Sequence, residues 1–110
     1  MARKSSSSRR PEQVAETIRA VLAEALLRGE LRDPRVGLVT VSGVEVTRDL
    51  SHANITVVPH GDDEAKKAAL EGLHSAAGFL RRLVAKALST RIVPELHFKL
   101  DIGFEHAKRI

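Results

Sequence analysis

The spacing of apolar residues switches between two periods along the chain, and this alternation restricts the fold more than any single motif. A helical period occurs in 14–25 and 65–87, and an alternating period occurs in 39–46, 53–57 and 96–102. The helical period places apolar side chains along one side of a helix, and the alternating period places them on one face of a strand. The chain is therefore expected to form helices where the period is helical and strands at the three places where it alternates.

Residues that break or turn the chain lie between these stretches. Pro11 suits the first turn of the first helix, because its missing amide hydrogen costs nothing there, and Gly29 supplies the stop. Gly43 predicts a bulge in the first strand, and residues 48–51 have the composition of a hairpin connection. The first two strands are therefore expected to form a hairpin through 48–51, and Pro59 ends the second strand.

The long helical stretch contains Gly72 and Gly78, which weaken it. We expect two helices there, or one helix with a sharp kink near 75–78. The acids of 62–64 precede this stretch, where a helix N-terminus favours negative charge. Three helices can cover one sheet face, and a crossover must join the second strand to the last. The sequence thus predicts an α+β fold of order α-β-β-α-α-β, with three helices on one face of a three-stranded mixed sheet.

Length and composition limit the chain further. A chain of 110 residues holds one domain with a modest core. It has no cysteine for a disulfide or a thiolate site, and no apolar run approaches the ~18 residues of a membrane span. Residues 1–10 carry basic side chains and a serine run but no acid, so we expect a disordered basic arm before a domain at 11–110. A soluble cytoplasmic protein without a membrane partner is expected.

The net charge is positive, and aromatic residues are few. The chain carries 18 Lys and Arg against 14 Asp and Glu, a formal net charge of +4, with three Phe and no Tyr or Trp. Recognition of nucleic acid by stacking bases on a row of aromatic rings is therefore disfavoured. Binding through phosphates, backbone amides and shape remains compatible with this composition.

A block of basic residues follows the expected kink. The stretch 72–94 contains no acid, and its basic residues are Arg81, Arg82, Lys86 and Arg91. On a helix, Arg82 and Lys86 project opposite the apolar arc, and Arg81 lies at the edge of that arc. A solvated polar face is the ordinary interpretation. The single sign of the charge, and arginines placed where the helix dipole opposes cations, favour an anion site.

Small residues occupy the expected kink itself, namely Ser75, Ala76, Ala77 and Gly78. With so little side-chain bulk, backbone amides at the bend can approach a sugar-phosphate chain closely. Close packing of two helices at a kink explains the same residues equally well. The residues alone leave both interpretations open.

Several segments together resemble the bacterial ribosome-binding factor A family. They are 33–36 (DPRV), 44–53 (VEVTRDLSHA), 75–81 (SAAGFLR) and 91–96 (RIVPEL), followed by Phe98 and Asp101. Each segment is a weak match by itself, whereas their order and spacing are specific, and the resemblance runs from about 10 to 110. It implies a type II KH-like fold in which an Ala-x-Gly interruption between two helices replaces the GxxG loop. Ala76-Ala77-Gly78 matches that interruption and is the expected helix-kink-helix.

The resemblance also implies a function. Such a protein is a non-enzymatic factor that binds 16S ribosomal RNA on free or immature 30S subunits. It supports subunit maturation, including 16S rRNA processing and, in some bacteria, growth in the cold. We therefore expect a monomer whose partner is the small ribosomal subunit, and we leave open whether an assembly GTPase acts with it. The expected RNA-binding residues are Ser75, Ala76, Ala77, Gly78, Arg81, Arg82, Lys86 and Arg91, with Arg9 and Arg10 adding unspecific attraction.

Other functions have less support in the sequence. It contains no HExxH, GxxxxGK[ST] or GxSxG motif. His74 and Ser75 are neighbours, but adjacent helical residues point about 100° apart, so no catalysis between them is expected. The other four histidines show no metal-ligand spacing, so we expect neither a metal site nor a cofactor; they are His52, His60, His97 and His106.

Two non-enzymatic alternatives remain. A basic helix after a tight bend loosely resembles a helix-turn-helix, so a DNA-binding module is one of them. The other is a protein-interaction domain whose charge serves only solubility.

Overall fold

Three helices and three strands follow one another in the expected order in the computed structural model, which describes residues 10–103. They are α1 (Arg10–Leu27), β1 (Val39–Val46), β2 (His52–Pro59), α2 (Asp63–Ser75), α3 (Ala77–Ala87) and β3 (Glu95–Leu100). The predicted order α-β-β-α-α-β is confirmed. The expected arm falls outside the described residues except for Arg10, which already belongs to α1.

α1 buries one side because its apolar residues recur at helical spacing. The buried residues are Val14, Ile18, Leu22 and Ala25. The helix ends at Leu27, and Gly29 in the turn after it has a φ of +68°, the left-handed conformation that glycine adopts without a steric penalty. The Gly29 amide donates to the Leu26 carbonyl at 3.2 Å and the Glu30 amide to the Ala25 carbonyl at 3.0 Å. This pair of bonds is the Schellman arrangement, which satisfies carbonyls that a helix end leaves without partners.

β1 and β2 form an antiparallel hairpin with the predicted bulge. The pairing register shifts between Val41 and Gly43. The bulge adds one residue to β1, so the core-facing positions change from odd-numbered residues before it to even-numbered residues after it. The four valines that consequently pack against the core are Val39, Val41, Val44 and Val46. Leu50 in the hairpin connection has a φ of +64° and is buried, so the turn also contributes to the core.

β2 and β3 pair in parallel, and α2 and α3 form the crossover between them. The Asp62 side chain caps α2, with its Oδ1 accepting from the Ala65 amide at 2.8 Å. Alternate residues of both strands are buried beneath the helices, namely Ala53, Ile55, Val57, Leu96 and Phe98. The predicted architecture, three helices on one face of a three-stranded mixed sheet, is confirmed.

The last strand is shorter than the apolar alternation predicted. β3 ends at Leu100, and Ile102 is 51% exposed instead of facing the core. The Asp101 amide still bonds the Val57 carbonyl, but the Asp101 carboxylate then accepts from the Gly103 amide at 3.0 Å. That local bond turns the chain away from the sheet. Among residues 10–103, no helix combines the length and the apolar character needed to span a membrane.

Candidate nucleic-acid interface

The junction between α2 and α3 is a single residue. Ala76 has a φ of −90° and a ψ of 2°, which interrupts the helical backbone after Ser75. The Ala76 amide donates to the Gly72 carbonyl at 3.0 Å, and its carbonyl accepts from the Leu80 amide at 2.9 Å. No side chain of residues 10–103 caps the first turn of α3. The predicted kink is confirmed, and it leaves first-turn amides of α3 without a side-chain acceptor.

The two glycines of this region have different roles. Gly72 is buried beneath the loop that follows α1, and a Cβ on it would lie 2.5 Å from Val36 Cγ2 and 3.3 Å from Arg35 Cβ. Gly78 is exposed, and within the described range a Cβ there would come near only Arg82 Nη1, at 4.0 Å. Close packing therefore accounts for Gly72. It does not account for Gly78, where the absence of a side chain leaves the bend open to solvent.

Arg82 and Lys86 project from α3 away from the core. Leu80 and Val84 are fully buried on the side of α3 that contacts α1 and β3, and the helical period then directs Arg82 and Lys86 to solvent. No carboxylate of residues 10–103 forms an ion pair with either of them. The positive charge that the sequence placed on this face is thus accessible to a ligand.

Arg81 has structural partners as well as a charge. Its Nε donates to the Pro94 carbonyl at 3.1 Å, and its Nη2 donates to the Val93 carbonyl at 2.7 Å. These bonds tie the segment before β3 to α3. Because both acceptors are neutral, the guanidinium keeps its net charge, but two of its donors are already used. Arg81 thus holds in place the loop that contains Arg91.

Arg10 and Arg91 lie at the other end of α3. Arg10 lines a cleft together with Gln13, Thr17 and residues 87–90, so the fold brings the start of α1 to the end of α3. Arg91 is exposed in the loop after α3. The expected basic residues therefore lie on α3 or next to its C-terminal end, apart from Arg9, which is outside the described residues.

The loop between α1 and β1 reaches the bend through Arg35. Arg35 Nη2 donates to Asp33 Oδ2 at 2.7 Å and to Ser75 Oγ at 3.2 Å. The side-chain hydrogen bonds from Arg35 lower the pKa of Asp33 to about 2. Ser75, which the sequence assigned to RNA binding, is therefore also a contact between this loop and α2.

Three residues that lie near the bend were not assigned to the site from the sequence. Arg32 and Phe79 line a surface depression of about 280 Å³ together with Ser75 and Ala76, and Arg35 contacts Ser75. Phe79 is 36% exposed, because the helical period directs it away from Leu80 and Val84. The mid-helix Gly72 was the one signal in the sequence for the close approach of this loop.

The contacts of three histidines differ from what the sequence suggested. His74 Nε2 is 2.9 Å from the Phe98 carbonyl, so its hydrogen-bond partner is the sheet and not the neighbouring Ser75. His52 and His97, which the sequence treated as scattered, face each other across the parallel strand pair, with Nδ1 and Nε2 3.0 Å apart. The expectation of unrelated histidines was wrong for this pair. Sequence separation says nothing about the register in which distant strands pair.

Comparison with known proteins identifies relatives. The family model of ribosome-binding factor A matches residues 10–110. Ribosome-binding factor A of Thermomicrobium roseum is 50% identical over 103 residues, covering 94% of this chain and 79% of the relative. The crystal structure of ribosome-binding factor A from Thermus thermophilus is 28% identical with a TM-score of 0.68, covering 82% of this chain and 94% of that one.

A third relative comes from a ribosomal complex. A homology model of the Thermus thermophilus factor, fitted into the cryo-EM map of a complex of that factor with the 30S subunit, has a TM-score of 0.59 at 30% identity. It covers 78% of this chain and 93% of that one. The matched range, the identity and the shared fold lead to one conclusion: the chain belongs to the ribosome-binding factor A family.

Proposed function

We propose that this protein binds 16S ribosomal RNA on free or immature 30S subunits and supports their maturation, including the processing of 16S rRNA. The contact is made by the bend surface, which we define as Ser75, Ala76, Ala77, Gly78, Arg81, Arg82, Lys86 and Arg91. Arg9 and Arg10 add unspecific attraction. The protein acts as a cytoplasmic monomer and catalyses no reaction.

Support comes first from family membership. The relative from Thermus thermophilus was fitted into a map of its own complex with the 30S subunit, and this chain has a similar fold. The physical observation that most directly supports the proposal is the exposure of Arg82 and Lys86 beside an interrupted helix, with no ion-pair partner among residues 10–103. A face of one sign suits a partner with a chain of phosphates.

The bend and the basic side chains contribute differently to RNA binding. Arg82 and Lys86 neutralise phosphates and release condensed counterions, which favours binding without selecting a sequence. Ala76 and Ala77 are half-buried against the core, whereas Gly78 is exposed and lets a ribose-phosphate strand approach the bend closely, because a larger side chain there would hold the strand away. The Ala76 amide is already bonded to Gly72, so the amide donors come from the first turn of α3 after it. Arg81, already bonded to two carbonyls, contributes charge from a fixed position.

The DNA-binding alternative fits the junction poorly. A helix-turn-helix joins its helices by a turn of about three to four residues that sets them at a large angle. Here α2 and α3 are separated by Ala76 alone, and Ala76 bonds backward to Gly72 and forward to Leu80. A junction of one residue lacks the turn that the motif uses to set its second helix into a groove.

The test is a double charge reversal on α3. Arg82→Glu with Lys86→Glu is expected to abolish co-sedimentation with 30S subunits and to raise the level of precursor 16S rRNA in cells that depend on the variant. The matched control is Lys67→Glu with Lys99→Glu, which makes the same charge change at two exposed positions on α2 and β3. Both variants should keep the wild-type thermal midpoint, because none of the four side chains is buried. Retained 30S binding by the α3 variant, or equal loss in the control, would refute the proposed surface.

A further inference from the structure

Three potential metal ligands meet on the face of the sheet that the helices leave uncovered. His52 lies on β2 directly opposite Glu95 of β3, and His97 is two residues beyond Glu95. Alternate residues of a strand share a face, so Glu95 and His97 both lie beside His52. All three are exposed, whereas Leu96 between them is buried. The parallel register thus gathers two imidazoles and one carboxylate from positions 43 and 45 residues apart in sequence.

The ligating atoms of these side chains converge. His52 Nδ1 and His97 Nε2 are 3.0 Å apart, and His52 Nδ1 is 3.9 Å from Glu95 Oε1. The candidate ligand atoms of the three residues all lie within 4.8 Å of one another. Two nitrogens that each lie about 2.1 Å from a zinc ion are about 3.4 Å apart at the tetrahedral angle, so a change of a few tenths of an ångström would accommodate the ion.

The backbone beneath the cluster is held firmly on both strands. The His52 amide donates to Thr47 Oγ1 at 3.1 Å, and its carbonyl accepts from the Thr47 amide at 3.0 Å. The Glu95 amide donates to the Ser51 carbonyl at 2.9 Å, so the turn before β2 also fixes the start of β3. Only side-chain rotations are then needed to complete a coordination sphere, and such preorganisation lowers the entropic cost of binding.

We propose that His52, His97 and Glu95 bind a divalent transition-metal ion of the zinc class on the open face of the sheet. One of the two facing nitrogens carries the proton of the present contact, and ion binding requires that proton to move to the outer nitrogen of the same ring. Both inner nitrogens then donate their lone pairs, and the carboxylate supplies a third ligand and a negative charge.

The ligand set determines which ions fit. Imidazole nitrogens favour zinc, nickel and copper, whereas magnesium and calcium prefer oxygen ligands. Three protein ligands leave at least one coordination position for water or for an outside ligand, and the exposure of the cluster gives access to it. This site goes beyond the proposed RNA contact, because it lies on the sheet face opposite α1, α2 and α3 and uses no residue of the bend surface.

The first experiment is calorimetric titration of the full chain with zinc chloride, followed by far-ultraviolet circular dichroism of each variant. Binding of one ion per chain is expected. Loss of even an indirect partner of a metal ligand typically costs 10- to 100-fold in affinity, so His52→Gln and His97→Gln should each weaken binding by at least about tenfold. Glu95→Gln should also weaken it. His60→Gln is the matched control, because His60 is exposed outside the cluster, and it should bind as wild type.

A second measurement keeps the proposal testable if a variant folds poorly. Long-range imidazole nitrogen spectra of the wild-type chain should show zinc-induced shifts at His52 Nδ1 and His97 Nε2, with His60 and His74 unaffected. The proposal is overturned if the wild-type chain gives no heat above dilution. Zinc-induced shifts at other histidines, or equal affinity in the His97→Gln and His60→Gln variants, would overturn it as well.

Discussion

Alanine at Gly72 and at Gly78 should change stability in opposite directions, although both glycines interrupt the same apolar stretch. Each substitution removes the conformational freedom that glycine retains in the unfolded chain, which favours the folded helix by about 0.5–1 kcal/mol. At Gly78 little opposes this gain, since the new Cβ would come near only Arg82 Nη1, at 4.0 Å, among the described residues. Because Gly78 lies in the first turn of α3, a gain of about 0.5 kcal/mol is the reasonable expectation.

At Gly72 the same methyl group meets the packed loop. Its Cβ would lie 2.5 Å from Val36 Cγ2, 3.3 Å from Arg35 Cβ and 3.4 Å from Asp33 Cγ. Val36 is β-branched and cannot move a methyl group away without shifting the loop, and overpacking of this kind costs roughly 1–3 kcal/mol. After the gain in helix propensity, Gly72→Ala should destabilise the fold by about 1 kcal/mol, and by no more than about 2.5 kcal/mol.

Thermal unfolding followed by circular dichroism separates the two cases. For a domain of this size 1 kcal/mol shifts the midpoint by roughly 4–8 °C, so Gly72→Ala should melt below the wild type by about that amount or more. Gly78→Ala should melt at or slightly above the wild type and yet bind 30S subunits more weakly, because its methyl group stands on the bend surface. A Gly72→Ala protein as stable as the wild type, or a clearly destabilised Gly78→Ala protein, would refute the division of roles.

Three further outcomes follow from the contacts described. Replacing Arg82 and Lys86 of α3 by alanine should lower the magnitude of the slope of log affinity against log salt by about 1.5, measured by 30S binding at several potassium chloride concentrations, and an unchanged slope would exclude phosphate contacts by these two residues. Arg81→Ala should destabilise the fold by about 1–3 kcal/mol in urea denaturation, because it removes charge-assisted bonds to the Val93 and Pro94 carbonyls. Hydrogen bonds from Ser51 and Thr47 lower the pKa of Asp49 from 3.8 to about 2. The stabilisation of the fold by ionised Asp49 is therefore complete above pH 3.8 and is lost as the pH falls through about 2. Asp49→Asn should accordingly flatten the fall in stability between these pH values in acid titrations, and an identical acid profile would contradict this.

Much of the bend surface could be anticipated from local pattern. The helical period separated Leu80 and Val84 from Arg82 and Lys86, and the structure buries the first pair and exposes the second. Periodicity and charge placement are properties of neighbouring residues, so they can be determined from a short segment without knowledge of the rest of the fold. The assignment of these residues to RNA binding stays a prediction.

The second role of Arg81 and the contribution of Arg35 could not be anticipated. Arg81 was grouped with the free cations, yet its donors bond carbonyls 12 and 13 residues away. Arg35 contacts Ser75 from 40 residues away. Neither partner is marked by residue type, because a backbone carbonyl or a serine hydroxyl is available at many positions. The path of the loops selects which one is reached.

The order of elements, the bulge at Gly43 and the break at Ala76 were therefore determined by the amino-acid sequence itself, through side-chain periodicity and backbone preference acting over a few residues. Tertiary structure alone decided that Gly72 packs under a loop, and that His52 and His97 stand 3.0 Å apart although 45 residues separate them. Those contacts depend on strand register and on how helices settle over the sheet. Both are outcomes of packing the whole core, and no short segment encodes them.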